Sequence, residues 1–339
     1  MPIFMIEEFV KSRNLPQYRL TQFNQAFYRE LINTYGQLTT WPKELREELK
    51  LQVPFTSLKL ITSQTSAKGD TTKVLFQRND SKKLETVLMW HKDGRNTICV
   101  SSMIGCPVGC RFCATGKLGF GGNLTAQEIV DQVLYFARIL KKEGQKVTNV
   151  VFMGMGEPLL NLEAVLGAIK ILTDPEKLGL SQRRITISTS GFIPQFKQLI
   201  ASGFRGRMAI SLHAPNQSLR EFLMPVAKKY PLPELMKTID EYVKLTNKRV
   251  SYEYLLIKGL NDQDEQAKEL GKLLRHRLHH VNLIPFNPVK GEDFVRPERG
   301  EVIRFSQLLE RYGVHHTIRV TMGKDISAAC GQLAGKNNS

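Results

Sequence analysis

The run TICVSSMIGCPVGCRFCATG at residues 97–116 is followed by TAQEIVDQVLYFARILKKE at 125–143 and VTNVVFM at 147–153. It reads as a strand, a cysteine-bearing loop, an amphipathic helix and a second strand. Thr125 and Glu128 stand at capping-box spacing, and Ile129, Val130, Val133, Leu134, Ala137 and Leu140 form the apolar stripe behind them. The same alternation continues downstream. Short apolar runs at 184–190, 207–213, 250–257 and 279–286 predict further strands, and helices are expected near 161–173, 194–202, 232–246, 262–276 and 299–312. Six β/α repeats specify an α/β fold with a parallel sheet and right-handed crossovers. A curved, partly open barrel and a flat doubly wound sheet both satisfy this pattern.

Upstream the periodicity changes twice. Residues 1–52 read as a small helical module, with apolar positions at helical spacing in EEFVKSRNLP, YRLTQFNQAFYRELINTYG and PKELREELKLQV. Residues 53–96 carry short β-type runs, LKLITSQ, TKVLFQR and ETVLMWH, separated by the turns AKGD, NDSKK and KDGRN, and predict a β-hairpin connector. The expected organisation is a helical module at 1–52, the connector at 53–96, the β/α domain at 97–322 and a C-terminal segment at 323–339.

Composition excludes several classes. Hydrophobic residues at 42% and charged residues at 24% suit a soluble chain that buries a real core. No apolar run reaches the length of a membrane span, and the N-terminus lacks the basic n-region of a signal peptide, so a cytoplasmic protein is expected. Forty-eight Lys and Arg against 32 Asp and Glu give a net charge of +16, which favours a polyanionic partner. The basic clusters Lys141-Lys142, Arg183-Arg184, Lys228-Lys229 and Arg275-His276-Arg277 are candidate phosphate contacts, although charge runs are usually solvated faces.

Four of the five cysteines fall at 99, 106, 110 and 113, and the fifth at 330. That is not a disulfide framework. Cys106, Cys110 and Cys113 form a C-x3-C-x2-C triplet in a loop after a strand. Three thiolates can hold three irons of a [4Fe–4S] cube and leave the fourth iron open to another ligand. The competing reading is a zinc site, for which Cys99 or Cys330 would have to complete a set of four thiolates. Other unusual residues also fall at strand ends, where parallel β/α folds place their chemistry. These are Gly156 and Glu157, Ser188, Ser211, Leu212 and His213, and Asn287.

Taken together, CPVGCRFCATG, FMGMGEPL, ISTSG, ISLHAPN, LIPFNP and DISAACGQLAG resemble the radical S-adenosylmethionine (SAM) RNA adenine methyltransferases of the RlmN/Cfr family, over nearly the whole chain. The resemblance implies a partial (β/α)6 radical-SAM barrel carrying an N-terminal helical module and a small β-hairpin connector. It implies a [4Fe–4S] cluster held by Cys106, Cys110 and Cys113, two SAM molecules per turnover, and SAM contacts from Gly156, Glu157, Ser188, Ser211, Leu212, His213 and Asn287. It further implies that Cys330 becomes S-methylated, that Cys99 resolves the intermediate through a transient disulfide, and that Glu85 accepts a proton. The substrate implied is adenosine in 23S rRNA, with tRNA as a second RNA. A flavodoxin or ferredoxin would supply electrons, and a monomer is the family expectation.

C2 and C8 methylation share every residue named above. SMIGCPVGC and MGMGEPLLN look more like the C2 branch, whereas TKVLFQR, DQVLYFA and SLREFLMP look closer to the C8 branch. C2 methylation is the expected activity. A zinc-stabilised RNA-binding protein without catalysis is the alternative of a different class.

Overall fold

Strand order along the sheet decides between the two architectures left open by the β/α pattern. The computed structural model describes residues 2–289, 291 and 293–335; the end of the expected C-terminal segment, 336–339, lies outside the described residues. The strands are β1 (Lys59–Thr65), β2 (Thr71–Gln77), β3 (Lys83–Trp90), β4 (Asn96–Cys99), β5 (Met103–Gly105) and β6 (Phe120–Asn123). They continue as β7 (Asn149–Phe152), β8 (Ile185–Thr189), β9 (Arg207–Ser211), β10 (Val250–Leu256), β11 (His279–Pro285) and β12 (His316–Ile318). One ten-stranded sheet runs β1-β2-β3-β4-β7-β8-β9-β10-β11-β12, and β5 pairs with β6 apart from it. Within the ten-stranded sheet every pairing from β4 onward is parallel. A doubly wound sheet reverses its strand order part-way. This one never does, so it winds one way, as an open β/α barrel.

Three details depart from the sequence reading. The first expected strand, 97–103, breaks after Cys99, because Ser101 turns its backbone and hydroxyl to other partners. Its N–H donates to Gln132 Oε1 at 2.8 Å, and its hydroxyl donates to the Glu85 carbonyl at 2.6 Å. The connector strands are continuous with the barrel sheet, since β3 pairs antiparallel with β4 from Val87↔Cys99 to Trp90↔Asn96. A short edge strand, β12, extends the sheet beyond β11. Three residues are too few for an alternation to be read from sequence.

The helix Ala126–Lys142 shows why the pattern folds as it does. Thr125 Oγ1 accepts the Glu128 N–H at 3.2 Å, and Glu128 Oε2 accepts the Thr125 N–H at 2.7 Å. Such a cap contributes about 1 kcal/mol. The stripe from Ile129 to Leu140 is buried, and at about 1.5–3 kcal/mol per large side chain that burial outweighs the cap. Gln132 pins the helix to the strand end at Ser101, donating from Nε2 to its carbonyl at 3.0 Å.

The N-terminal helices Pro2–Ser12, Tyr18–Asn24 and Lys43–Gln52 enclose an aromatic core of Phe9, Phe23, Phe27, Tyr35 and Trp41. Helical spacing through residue 36 overstates the second helix. It ends as a π turn at Arg29, and Leu31 then takes a left-handed φ of 53°. Arg138 Nε donates to the Ile32 carbonyl at 2.9 Å, fastening this module to the long helix.

Candidate active site

The cysteine loop is shaped by glycines that no other residue could replace. Gly105 has φ +65°, and a Cβ there would lie 1.9 Å from the Gly119 carbonyl oxygen. That contact lets Cys106 N–H donate to the same oxygen at 2.8 Å, and Cys113 N–H closes a turn on Cys110 O at 3.1 Å. The side chains of Cys106, Cys110 and Cys113 all line one pocket at the C-terminal ends of the strands. Burial pushes the Cys106 thiol up to about 12 and holds Cys110 well above the ordinary thiol range. These groups become thiolates only when cations offset that burial.

The opposite wall comes from the strand ends singled out in the sequence. Gly156, Glu157, Ser188, Ser211, His213 and Asn287 line the same pocket. Gly156, at φ +99°, packs where a Cβ would be 2.6 Å from Met103 Cβ. The Glu157 carboxylate is buried and accepts the Leu159 N–H at 3.1 Å, the Ser190 N–H at 2.8 Å and the Ser190 hydroxyl at 2.7 Å. Burial raises its pKa against these bonds. His213 adopts φ +57° and stands edge-on to Phe112 at 4.6 Å. Its Nδ1 accepts the Leu255 N–H at 3.0 Å. Burial, reinforced by Arg220, drives its pKa down to about 3, so the ring is neutral. Leu212 alone of this strand end turns away; its side chain is fully buried and its N–H donates to the Glu253 carbonyl at 3.0 Å.

Cys330 reaches this pocket although it lies far along the chain. Its segment is held by Asn287 Nδ2 on the Cys330 carbonyl at 3.2 Å, and by Ala114 N–H on the Gly331 carbonyl at 2.8 Å. The Thr115 hydroxyl donates to the Leu333 carbonyl at 2.7 Å. Cys99, at the end of β4, is behind the wall and buried. Burial pushes its thiol up to about 12, the nearby Cys330 adds to the rise, and Arg319 opposes it.

Glu85 does not line the pocket. It is buried on β3 in an ion pair with Lys73 at 2.8 Å, and its Oε2 accepts the Ala334 and Gly335 N–H groups at 2.7 and 3.0 Å. In this arrangement it clasps the segment that carries Cys330. Glu85→Gln keeps an acceptor for those amides but strips buried Lys73 of its charged partner. The expected loss is about 3–5 kcal/mol of unfolding free energy, measured by denaturant titration. Adding Lys73→Met should restore most of it.

Sequence reasoning missed three residues here. Arg319 lines the pocket, is held at 3.6 Å from Glu253, and is raised in pKa first by Cys330, then by Glu253 and Cys99. Glu253 is buried, accepts from Asn282 Nδ2 at 2.8 Å, and has no hydrogen bond to Oε2. Arg220 is fully buried behind the cysteine loop, with Nη2 on the Ser190 carbonyl at 2.6 Å and Nε and Nη1 unpartnered. A charged residue within an apolar strand, such as Glu253 in VSYEYLLI, was the available signal.

Residues 100–271 match the model of the radical SAM superfamily. Along 97% of this chain, and 95% of that protein, the sequence is 44% identical to a ribosomal RNA large subunit methyltransferase N of Nitrosopumilus maritimus (strain SCM1). It is 43% identical to a probable dual-specificity RNA methyltransferase RlmN of Bacillus pumilus, over 98% of this chain and 91% of that one. The chain belongs to the radical-SAM RNA methyltransferases of the RlmN/Cfr family. A radical SAM methyltransferase from Sphaerobacter thermophilus superposes with a TM-score of 0.95 at 44% identity, covering 98% of each chain. The partial barrel with its added module and hairpin is thus the family fold.

Radical SAM membership implies a [4Fe–4S] cluster and SAM, and the residues present fit both. Arg220 is a buried cation with no ion pair among the described residues, a costly state unless an anionic group lies beside it. Burial lowers its pKa to about 10, and Cys110, when ionised, is the group that opposes this fall. Glu253 lines the same pocket, and among the described residues its Oε2 has no hydrogen bond and only the Arg319 guanidinium at 3.6 Å to offset its buried charge. Among the described residues no three His, Cys, Asp or Glu side chains converge on one metal ion. No described helix is long and apolar enough to cross a membrane.

Proposed function

We propose that this methyltransferase transfers a one-carbon unit to C2 of an adenosine in 23S rRNA, and of an adenosine in tRNA, through S-methylated Cys330. The observation that carries this reading is the presence of Cys330 in the pocket lined by Cys106, Cys110 and Cys113, with Cys99 and Arg319 beside it. When bound, cluster and SAM supply the methyl group and a 5′-deoxyadenosyl radical.

Adenine C2 and C8 are electron-poor sp2 carbons without a lone pair, so they cannot attack a sulfonium methyl group directly. A protein thiol can. Cys330 takes the methyl group as a thiolate. One hydrogen atom of that S–CH3 group would pass to the 5′-deoxyadenosyl radical, and the S–CH2 carbon would bond to the ring and tether the RNA. The adduct would regain its aromatic ring by losing the ring proton and returning one electron to the cluster. Glu85 is the proposed acceptor of the ring proton; taking it requires the carboxylate to release the Ala334 and Gly335 amides. Cys99, as a thiolate, then attacks the Cys330 sulfur. The carbon–sulfur bond breaks with its electron pair left on the exocyclic carbon, which takes up a proton to become the methyl group. A Cys99–Cys330 disulfide remains for reduction. Arg319 stabilises negative charge on either sulfur.

We assign the remaining pocket residues, Gly156, Glu157, Ser188, Ser211, His213 and Asn287, to SAM. Residues 1–52 are the proposed accessory RNA grip. A flavodoxin or ferredoxin is the proposed reductant, and the site of action is the cytoplasm, with the chain as a monomer. C8 methylation is the second reading, favoured by TKVLFQR, DQVLYFA and SLREFLMP. Mass spectrometry of nucleosides from rRNA and tRNA of cells with and without the gene separates the two. Gene-dependent 2-methyladenosine supports C2, 8-methyladenosine replaces it with C8, and neither product refutes both.

A further inference from the structure

The barrel sheet ends at β1 on one side and β12 on the other, and a cavity of about 980 Å³ lies between these edges. Ser66–Asp70, the turn between β1 and β2, forms one wall. The other is built from the start of the helix Arg299–Arg311 and the stretch from Ile318 to Asp325. At this size the cavity is at the upper end of the roughly 300–1,000 Å³ range of small-ligand pockets. It is wide enough for more than a single cofactor fragment.

Its lining has two chemistries. Lys68, Arg296, Arg299, Arg319 and Lys324 face it against only Asp70 and Asp325. Both carboxylates are engaged locally. Asp325 Oδ2 accepts the Ala67 N–H at 2.8 Å, and Asp70 Oδ1 accepts the Ser66 and Thr71 hydroxyls at 2.9 and 3.0 Å. Lys68, Arg299 and Lys324 are exposed and make no ion pair among the described residues. Between these cations lie apolar side chains left in solvent, Ile318 at 41%, Val320 at 79% and Ile303 at 41% exposure. Cations flanking apolar surface are what an unstacked, single-stranded nucleic acid requires, with phosphates on the first and base faces on the second.

Continuity with the active site fixes the orientation. Arg319 lines both this cavity and the pocket holding Cys330, so a base extruded from the cavity meets Cys330 on passing Arg319. The basic cluster Arg183-Arg184 stands differently. It immediately precedes β8, at the strand end opposite the pocket, as do Lys141-Lys142 before β7 and Arg275-His276-Arg277 before β11.

We propose that the gap between β1–β2 and β12 is the substrate channel, in which Lys68, Arg299 and Lys324 hold phosphates flanking the target adenosine while its base passes Arg319. This inference rests on the reading of RNA as substrate. The test uses the full chain and an in-vitro transcript of 23S rRNA spanning the peptidyl transferase centre. Binding is measured between about 50 and 200 mM KCl. The K68E/R299E/K324E variant should bind about tenfold more weakly or worse and lose about two from the salt slope, at about 0.7 per phosphate contact on a single strand. R183E/R184E should bind like wild type. Wild-type affinity in the triple variant, or equal weakening in R183E/R184E, overturns the channel alone. If wild type binds no transcript, the substrate reading falls and the channel with it. Unfolding midpoints check that the variants are folded. Should the triple variant not fold, K324E alone must still lower the slope by about 0.7, and an unchanged slope refutes the proposal.

Discussion

Cys330→Ala should make no methylated RNA, at least about a thousandfold below wild type, while keeping full iron content and absorption near about 400 nm. The two halves of this result discriminate between chemistries that share one pocket. Four cysteines line it, Cys106, Cys110, Cys113 and Cys330, which is also the number that a tetrahedral zinc would take. If Cys330 were a fourth metal ligand, its removal would release metal and destabilise the loop. If it carries carbon, the cluster loop survives, because its shape comes from Gly105, the Cys106–Gly119 bond and the Cys110–Cys113 turn. Cys113→Ala gives the reverse result, with iron lost and Cys330 intact. Full-rate methylation by Cys330→Ala would end the relay mechanism. A colourless wild-type protein holding zinc would end the radical one.

The barrel was legible in sequence because its repeats are long and strongly periodic. The strands β7 to β11 and the helix behind each fall where apolar spacing puts them. What could not be read is what depends on closure. Nothing local announces that β12 caps the sheet, or that the segment after Cys330 folds back so that the Gly331 and Leu333 carbonyls bond the loop at Ala114 and Thr115. The motif residues were visible as types, and their convergence from several strand ends follows from parallel topology. Arg220 and Arg319 were not visible. Arg220 lies in a short helix whose charged face reads as solvent-exposed, yet it is fully buried beneath the cysteine loop. Arg319 follows an edge strand too short to recognise. Glu85 shows a different gap, since its motif match names a proton acceptor, and nothing in the sequence announced that its carboxylate also clasps the C-terminal segment.

Cys99→Ala should stall the reaction as a covalent adduct between RNA and Cys330. It would be seen as a nuclease-sensitive band of increased mass on a denaturing gel, with released product at least about a hundredfold lower. The argument begins with burial. Cys99 is 9% exposed, and with its thiol held up to about 12 it is protonated at neutral pH. A protonated thiol is a poor nucleophile and a poor target for stray oxidants, so the resolving group stays inert until its substrate sulfur is in place. Once the base is tethered, attack on the Cys330 sulfur requires the thiolate. Arg319 favours that form, and desolvation opposes it. The sign follows directly. Below the folded pKa the thiolate fraction grows about tenfold per pH unit, so wild-type adduct should disappear faster as pH rises from 7 to 9, with no such gain in Cys99→Ala. Arg319→Gln should slow resolution at fixed pH and shift its pH dependence to more alkaline values, because it removes the cation that faces both sulfurs. An adduct that clears from Cys99→Ala as fast as from wild type would mean that a different group breaks the carbon–sulfur tether.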